Sequence, residues 1–299
     1  MDPTALLPLA QQARDYLRLS KSPNTRRAYR SDWAHFEQWC RLNHRTSLPA
    51  SVETLVLYFS ALAAVAKTST LARRMAALHQ GHIALGVPSN TGDTTIRALL
   101  AGIRRSKGTA PKTKAPLLTE DLRTILNVLP QDARGVRDRA LLLIGFAGGF
   151  RRSELVALEI ADIAFSVAGL TVTLRRSKTD PEAQGRKIGI PRGAQPETCP
   201  VRALAAWLAL AGIQHGRLFP LSARSVALIV KRRAQAAGLD PALYSGHSLR
   251  AGLATSAARN GASERSIMNQ TGHRSAAMVR RYIREANLFQ DNAAGFTGL

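Results

Sequence analysis

The stretch Ser245-Gly-His-Ser-Leu-Arg-Ala-Gly252 holds a histidine and an arginine three residues apart, and the rest of the chain is interpreted outward from it. A spacing of three residues puts His247 and Arg250 on one face of a helix. Gly272-His273 follows, and Tyr282 comes nine residues after His273. This end of the chain therefore predicts helices that carry an imidazole, a guanidinium and a phenol.

Two further motifs lie upstream, one at residues 148–155 and the other at residues 177–180 (Ser-Lys-Thr-Asp), just after the alternating strand pattern. Residues 148–155 (Gly-Gly-Phe-Arg-Arg-Ser-Glu-Leu) follow the apolar run 140–147, which predicts a buried helix. The two glycines leave room for a phosphate backbone, and the amides after them can help to hold an anion. Each group alone is more often a solvated or structural side chain. Their order and spacing together predict one site that contains Arg151, Lys178, His247, Arg250, His273 and Tyr282.

These residue types suit a displacement at phosphorus. Such a reaction builds negative charge on the non-bridging oxygens, which fixed cations stabilise. The guanidinium groups of Arg151 and Arg250 can each donate two hydrogen bonds to phosphate oxygens, and they stay ionised. Tyr282 can act as the nucleophile, but a phenol with a pKa near ~10 needs a base. His247 is the best candidate for that base, because an imidazole titrates near neutral pH.

The chain predicts two parts, mainly α-helical. Four apolar stripes and an amphipathic start predict about five short helices over residues 1–107, an all-α domain. Residues 108–116 (Gly-Thr-Ala-Pro-Lys-Thr-Lys-Ala-Pro) predict a linker. Residues 117–299 predict an α+β domain, with Thr119 as an N-cap. Alternation around Val172 and Ile188 predicts a hairpin or a three-stranded antiparallel β-sheet within 160–191.

Composition narrows the class of partner. The chain has 299 residues, with 42 Lys and Arg against 20 Asp and Glu, a net charge of +22. Residues 1–110 carry +9 and residues 111–299 carry +13, so both parts are basic. Such an excess indicates a polyanion, with nucleic acid first and an anionic membrane surface second. The longest nearly apolar runs, 140–150 and 203–213, are too short to span a bilayer.

Cysteine and histidine usage argues against metal or disulfide chemistry. Cys40 and Cys199 are far apart in sequence, which favours a reducing cytoplasm. No secretory signal is visible at the N-terminus. His79 and His82 have the spacing of a zinc pair, but no third ligand is near them and His82 lies in an apolar stripe. We therefore expect a cytoplasmic, nucleoid-associated protein without a cofactor or metal.

The full series resembles the tyrosine recombinase (phage integrase) family. Its Arg-x-Ser-Glu-Leu box, its strand-borne Lys178, its His-x-x-Arg box and its Gly-His before Tyr282 stand in family order. The likeness is closest to Cre-like site-specific recombinases over the C-terminal third, although His273 stands where that subgroup has tryptophan. The N-terminal part, around residues 24–40, resembles a helical core-binding domain.

The resemblance implies a mechanism. Tyr282 forms a covalent 3′-phosphotyrosine, and strands are exchanged between two DNA sites through a Holliday junction without metal or ATP. Lys178 protonates the 5′-oxygen leaving group, and His273 hydrogen-bonds the phosphate. Glu154 holds the basic residues in place.

The resemblance also implies an assembly and a partner. Residues 1–107 form the DNA clamp, and residues 117–299 form the catalytic domain with a C-terminal segment, including Leu288 and Phe289, that docks on a neighbouring subunit. The partner is double-stranded DNA with an inverted-repeat target, bound by a dimer at each site and a tetramer overall. Candidate DNA contacts, most of them to the backbone, are Arg26, Arg27, Arg73, Arg74, Arg104 and Arg105.

Two alternatives remain at this point. A type IB topoisomerase uses similar residues to relax DNA rather than to exchange partners. A DNA-binding protein on the same fold can lack catalysis altogether. The His-x-x-Arg box and the helical N-terminal part favour the recombinase.

Overall fold

The computed structural model describes residues 6–108, 113–175 and 185–286, together with Ala294 and Thr297. The chain separates into two compact units, Met1–Lys112 and Thr113–Leu299. The division falls within the stretch 108–116 that the sequence predicts as a linker. Each unit is described by itself.

Within residues 6–108, which the structure describes, the regular secondary structure of unit 1 is all helical, and this confirms the fold class predicted for this part. Polar side chains begin three of its helices: the Oγ of Ser22 accepts from the amide of Thr25, and the Oγ of Ser51 accepts from that of Thr54. Asp93 caps a third helix in the same way. The helices of unit 1 are α1 (Leu6–Leu19), α2 (Pro23–Leu42), α3 (Val52–Val65), α4 (Thr68–Ala84) and α5 (Thr94–Lys107).

The core of unit 1 is aromatic. Tyr58 on α3 is fully buried, and its ring meets Phe36, Trp39 and Phe59 edge-on at centroid distances of 4.8–5.3 Å. Edge-to-face rings at such distances add to the stabilisation that burial provides. Of these rings, the stripes predicted for α2 and α3 include Phe36 and Phe59, whereas Tyr58 and Trp39 lie outside them.

The two histidines of α4 have structural roles. His82 is fully buried, where its Nε2 accepts from the amide of Ala50 at 3.0 Å and its Nδ1 donates to the carbonyl of Leu78 at 2.8 Å. His79 bonds to the hydroxyl of Thr91 at 3.1 Å. Among the described residues, no group of three or more His, Cys, Asp or Glu is arranged to hold a metal ion.

Unit 2 combines helices with a small sheet, as predicted. Strands β1 (Ile163–Phe165), β2 (Gly169–Leu174) and β3 (Arg186–Pro191) form an antiparallel sheet in the order β1-β2-β3. Val172 pairs with Ile188, and both are buried. The helices of unit 2 are α6 (Thr119–Asn127), α7 (Ala133–Ala147), α8 (Arg152–Leu155), α9 (Pro200–Ala211), α10 (Ala223–Ala236), α11 (Ser248–Arg259), α12 (Glu264–Thr271) and α13 (Ala276–Ala286).

Helix α7 forms the centre of unit 2. It packs against α9 on one side and α11 on another, and residues 140–145 are all buried. This explains the unbroken apolar run in the sequence, because a helix that is covered all round has no polar face. The helix predicted with Thr119 as its N-cap begins one residue earlier than expected, with Leu118 in the cap position.

In the parts of the chain that the structure describes, every helix is too short or too polar to serve as a membrane span.

Candidate active site

Arg151 is held by the short helix that follows it. The chain turns at Arg151 into α8, and the buried Glu154 accepts from both ends of that arginine. Its Oε2 bonds to the Arg151 amide at 2.9 Å, and its Oε1 bonds to Arg151 Nη1 at 2.6 Å. Because the Glu154 carboxylate binds both the backbone amide and the side chain of Arg151, it fixes the direction of the guanidinium group.

The two glycines before Arg151 have a packing role that the sequence did not suggest. A Cβ added at Gly148 would lie 2.1 Å from the Phe150 ring. Gly149 has a φ of +57°, and a Cβ there would lie 2.7 Å from the Leu253 side chain. The prediction that the following amides hold an anion is wrong for Arg151, because Glu154 already takes its amide. Gly148 thus leaves room for the Phe150 ring, and Gly149 leaves room for the Leu253 side chain on α11.

Arg250 is a buried cation with spare donors. It lies on α11 with 1% of its surface exposed, and its Nη1 donates to the carbonyl of Gly149 at 2.6 Å and to that of Thr271. Among the described residues, its Nε and Nη2 have no hydrogen-bond partner. Burial, and then the charge of Arg151, lowers the pKa of Arg250 to about 10. A guanidinium without a carboxylate in a dry site is arranged to receive an anion.

His273 follows the end of α12 and is also buried. Its Nδ1 lies 2.7 Å from the Thr271 hydroxyl, which itself donates to the carbonyl of Ile267 at 2.6 Å. Because the hydroxyl has one proton, we infer that neutral His273 is protonated at Nδ1 and that its Nε2 is an acceptor. Burial, and then the charge of Arg250, lowers the pKa of His273 to about 4.

Tyr282 and His247 form the pair that can start a reaction. The Tyr282 hydroxyl lies 3.4 Å from His247 Nε2, and the Tyr282 ring centroid is 6.0 Å from that of His273. Burial lowers the pKa of His247, and the nearby guanidinium groups lower it further, Arg250 most of all. A neutral imidazole in contact with a phenol can accept its proton.

The structure therefore brings five predicted residues together: Arg151, His247, Arg250, His273 and Tyr282. Lys178 lies outside the described residues, as do Leu288 and Phe289.

Two residues at the site were missed from sequence. Thr271 anchors both Arg250 and His273, but a threonine at a helix end gives no pattern to detect. Arg186, the first residue of β3, donates to three carbonyls at the end of α12. The alternating pattern predicted a sheet without a register, so only the structure shows that Arg186 lies opposite Leu174, on the far side in sequence of the segment that contains Lys178.

The arginines predicted to contact DNA fall into different surroundings. Arg26 and Arg27 line a cleft at the start of α2 together with Arg18 and Arg30. In contrast, Arg74 donates from its Nη1 to the Tyr58 hydroxyl at 2.9 Å and its side chain is only 15% exposed, and its contact with DNA stays a prediction.

The three remaining arginines are more accessible. Arg73 is paired with Asp32 at 2.9 Å but keeps half of its side chain exposed. Arg104 and Arg105 are exposed on α5.

Comparison with known proteins assigns the family. The profile described as "Phage integrase family" matches residues 116–288, and the profile described as "Phage integrase, N-terminal SAM-like domain" matches residues 12–84. The chain belongs to the phage integrase family. It is a tyrosine recombinase. Of the recombinase, the type IB topoisomerase and the DNA-binding protein without catalysis, the family assignment therefore favours the recombinase.

Curated relatives agree with this assignment. The chain is 43% identical over 301 residues to an integrase/recombinase XerD homolog of Selenomonas ruminantium, covering 95% of this chain and 88% of that protein. It is 28% identical over 288 residues to tyrosine recombinase XerC of Syntrophus aciditrophicus, covering 87% of each. Because these relatives are of XerD and XerC type, the narrower likeness to Cre stays a prediction.

Solved structures show the same fold at low identity. A structure of the Tn1549 transposon integrase in complex with transposon right end DNA has a TM-score of 0.67 at 17% identity, covering 91% of this chain and 92% of that one. A post-cleavage complex of the XerH site-specific recombinase bound to palindromic difH substrate has a TM-score of 0.61 at 20% identity, covering 81% and 70%.

Proposed function

We propose that this chain is a site-specific DNA recombinase whose Tyr282 becomes joined to the 3′ end of a cleaved strand. The observation that carries the proposal is Arg250. It is buried, its Nε and Nη2 have no partner among the described residues, and it lies in the site where Tyr282 meets His247. A phosphodiester supplies the anion that these donors lack.

The residues of the site account for the bond formed, the bond broken and both proton transfers in the proposed cleavage step. The Tyr282 oxygen gives its proton to His247 Nε2 and attacks phosphorus, while the bond from phosphorus to the 5′-oxygen breaks. Arg250 and Arg151 stabilise the charge that develops on the non-bridging oxygens. The 5′-oxygen leaves as a hydroxyl, and Lys178 is proposed to supply its proton. Because the phosphotyrosine keeps the energy of the broken bond, a 5′-hydroxyl from a second strand can reverse the step without ATP.

His273 needs a change of protonation to contact the phosphate as a donor. In the tautomer inferred above, its Nε2 has no proton. A phosphate beside Arg250 offsets the positive charge that lowers the pKa of His273, and so favours a proton on Nε2. The proposed hydrogen bond from His273 to the phosphate is therefore coupled to proton uptake.

The proposed partner is double-stranded DNA with an inverted-repeat target site. In unit 1, the cleft lined by Arg18, Arg26, Arg27 and Arg30 concentrates positive charge that suits the sugar–phosphate backbone. The Tn1549 integrase and XerH structures contain DNA, which supports the same class of partner for this fold. A protein that acts on this substrate would be found with the nucleoid.

The proposed assembly is a tetramer, with a dimer on each site. Unit 2 has an apolar groove of about 440 Å³ between α6, α7, α11, α12 and β3, lined in part by Leu126, Phe146 and Ile267. We propose that this groove takes the C-terminal segment of a neighbouring subunit, where Leu288 and Phe289 supply apolar side chains.

The test is covalent capture on DNA. Sites are first selected from a random-sequence library by binding, and the recovered site is prepared as a nicked duplex that loses the 5′-hydroxyl product after cleavage. Wild type is expected to give a protein–DNA adduct that survives denaturing electrophoresis, with the nucleotide on Tyr282 by mass spectrometry. Tyr282→Phe, which lacks the attacking oxygen, should bind the site equally well and give no adduct.

Two controls define the proposal. Adduct formation should persist in EDTA, and a chain that lacks residues 286–299 should still bind a single site but lose synapsis and strand exchange between two sites. An adduct on another side chain, or hydrolysed ends that need magnesium, would contradict the mechanism. Efficient relaxation of plasmids that lack the selected site would favour a topoisomerase activity instead.

A further inference from the structure

Arg186 closes the end of α12 from a different element. It is the first residue of β3, and it lies half-buried beneath the last turn of α12. Its Nη1 donates to the carbonyls of Asn269 at 2.9 Å and Gln270 at 3.1 Å, and its Nη2 donates to that of Thr271 at 3.2 Å. The end carbonyls of a helix lack partners within it, so a guanidinium that binds three of them fixes the helix end.

The helix end that Arg186 binds carries two contacts of the active site. The carbonyl of Thr271 also accepts from Arg250, and the hydroxyl of Thr271 bonds to His273. Gly272 lies between Thr271 and His273 in the sequence and has a φ of +66°. A Cβ added to it would lie 2.7 Å from Arg186 Cζ. The guanidinium therefore occupies the space that a side chain at position 272 would fill.

Holding a third arginine here is electrostatically unfavourable. Burial lowers the pKa of Arg186, and Glu154 opposes this effect while Arg151 adds to it. Arg186 also contributes to the lowering of the pKa of His273. A side chain that only capped α12 could be uncharged. Arg186 instead adds positive charge to a site that already holds Arg151 and Arg250.

We propose that Arg186 is a positioning residue for the proposed recombination reaction, which acts through the Thr271–Gly272 turn to hold Arg250 and His273 in place for the phosphate. It ties the strand that follows the Lys178 segment to the turn that presents His273. A lysine cannot replace it, because one ammonium group cannot reach three carbonyls in the fixed fork of a guanidinium.

The first test needs no DNA. Protein labelled with ¹³C-histidine is titrated by NMR, and the His273 resonance is assigned by its loss in His273→Asn. Arg186→Ala should raise the pKa of His273 from about 4 by at least ~0.5, because both the neighbouring cation and part of the burial are removed. Arg139→Ala is the matched control, since Arg139 also donates to backbone carbonyls, those of Leu126 and Glu197. It should leave the pKa of His273 unchanged.

The second test is the rate of adduct formation on the selected site. Arg186→Ala and Arg186→Lys should both bind the site within about twofold of wild type and form the adduct about 100-fold more slowly, the size expected for a displaced catalytic group. Arg139→Ala should react at the wild-type rate. If Arg186→Ala does not fold, Gly272→Ala provides the same test, because its Cβ displaces the guanidinium.

Several outcomes would overturn the inference. They are an unchanged pKa of His273 in Arg186→Ala, a wild-type rate in that variant, or full rescue by Arg186→Lys. Absence of an adduct in wild type would instead refute the proposed function, and the titration without DNA would still report on Arg186.

Discussion

Two clusters of buried charge in unit 2 use the same residue types to different ends. In the α7–α10 cluster, Asp138 is fully buried, with Arg137 and Arg233 each at 2.7 Å and the more exposed Arg232 at 4.0 Å. In the active site, Glu154 is a carboxylate that the structure places among Arg151, Arg186 and Arg250. The two clusters have the same formal charge, but Asp138 binds arginines through both of its oxygens, whereas the buried Arg250 keeps two nitrogens without a partner among the described residues.

The difference shows which cluster is arranged for a ligand. Breaking a buried ion pair leaves an uncompensated charge, so a cluster like that of Asp138 stabilises the fold only while it is complete. Arg250 already has two nitrogens without a partner among the described residues. This unfavourable arrangement is typical of functional sites, where stability is given up for binding. Changes in the two clusters should therefore separate folding from catalysis.

The largest effect is expected from Arg250→Lys. The variant keeps one positive charge but loses the fork that bonds to the carbonyl of Gly149 and to a phosphate. Adduct formation should slow by ~10²–10³-fold, the cost of losing a transition-state donor. The measurement is single-turnover adduct formation on the selected site, with binding measured in parallel. A wild-type rate would remove Arg250 from the proposed mechanism.

The next effect is expected from Arg233→Ala in the other cluster. Removing Arg233 leaves the buried Asp138 with less compensation, which should reduce the free energy of unfolding by about 3 kcal/mol. Urea denaturation measures this loss. Adduct formation per folded molecule should stay at the wild-type rate. A catalytic defect without a stability loss would show that the two clusters are not separable.

A double variant sharpens the same comparison. Asp138→Leu with Arg233→Met replaces the pair by apolar side chains and should recover much of the lost stability. The equivalent change cannot be made at Arg250 without removing the donors that the phosphate needs.

The sequence predicted most of the fold and the main site residues, because both depend on local patterns. Apolar periodicity showed the helices of unit 1, and the alternation around Val172 showed the sheet. Arg151, His247, Arg250, His273 and Tyr282 could be chosen because their order and spacing form a series. The contact of Arg74 with Tyr58 could not be predicted, since Tyr58 lies on another helix and no local pattern contains this contact.

Thr271 and Arg186 escaped sequence reasoning for a related reason. Arg186 matters through a bond to the carbonyl of Thr271, 85 residues along the chain. The same carbonyl of Thr271 accepts from Arg250, 21 residues away. Gly148 and Gly149 were noticed from sequence, but not their packing contacts. Gly149 faces Leu253, a contact that exists only once α11 is in place, whereas Gly148 faces the nearby Phe150 ring.

The smallest effect is expected from lowering the pH, and it arises from His273 in the active-site cluster. His273 titrates at about 4 in the folded chain and near 6.5 when unfolded, so the unfolded state binds the proton first as the pH falls. Stability contributed by this group is complete above pH 6.5 and is lost between pH 6.5 and about 4. At pH 5 the loss relative to pH 7.5 should be ~2 kcal/mol.

The measurement is urea unfolding at pH 7.5 and pH 5 for wild type and His273→Gln. Glutamine cannot titrate, so the variant should lose ~2 kcal/mol less than wild type over this interval. His247, whose pKa is also lowered, is present in both proteins, so its own contribution is common to them and the difference reports on His273 and its coupling to His247. Equal acid sensitivity in the two proteins would mean that His273 is not held neutral by its surroundings. In that case the pKa of His273 would be near its usual value of 6.5, and phosphate binding would have no lowered pKa to reverse.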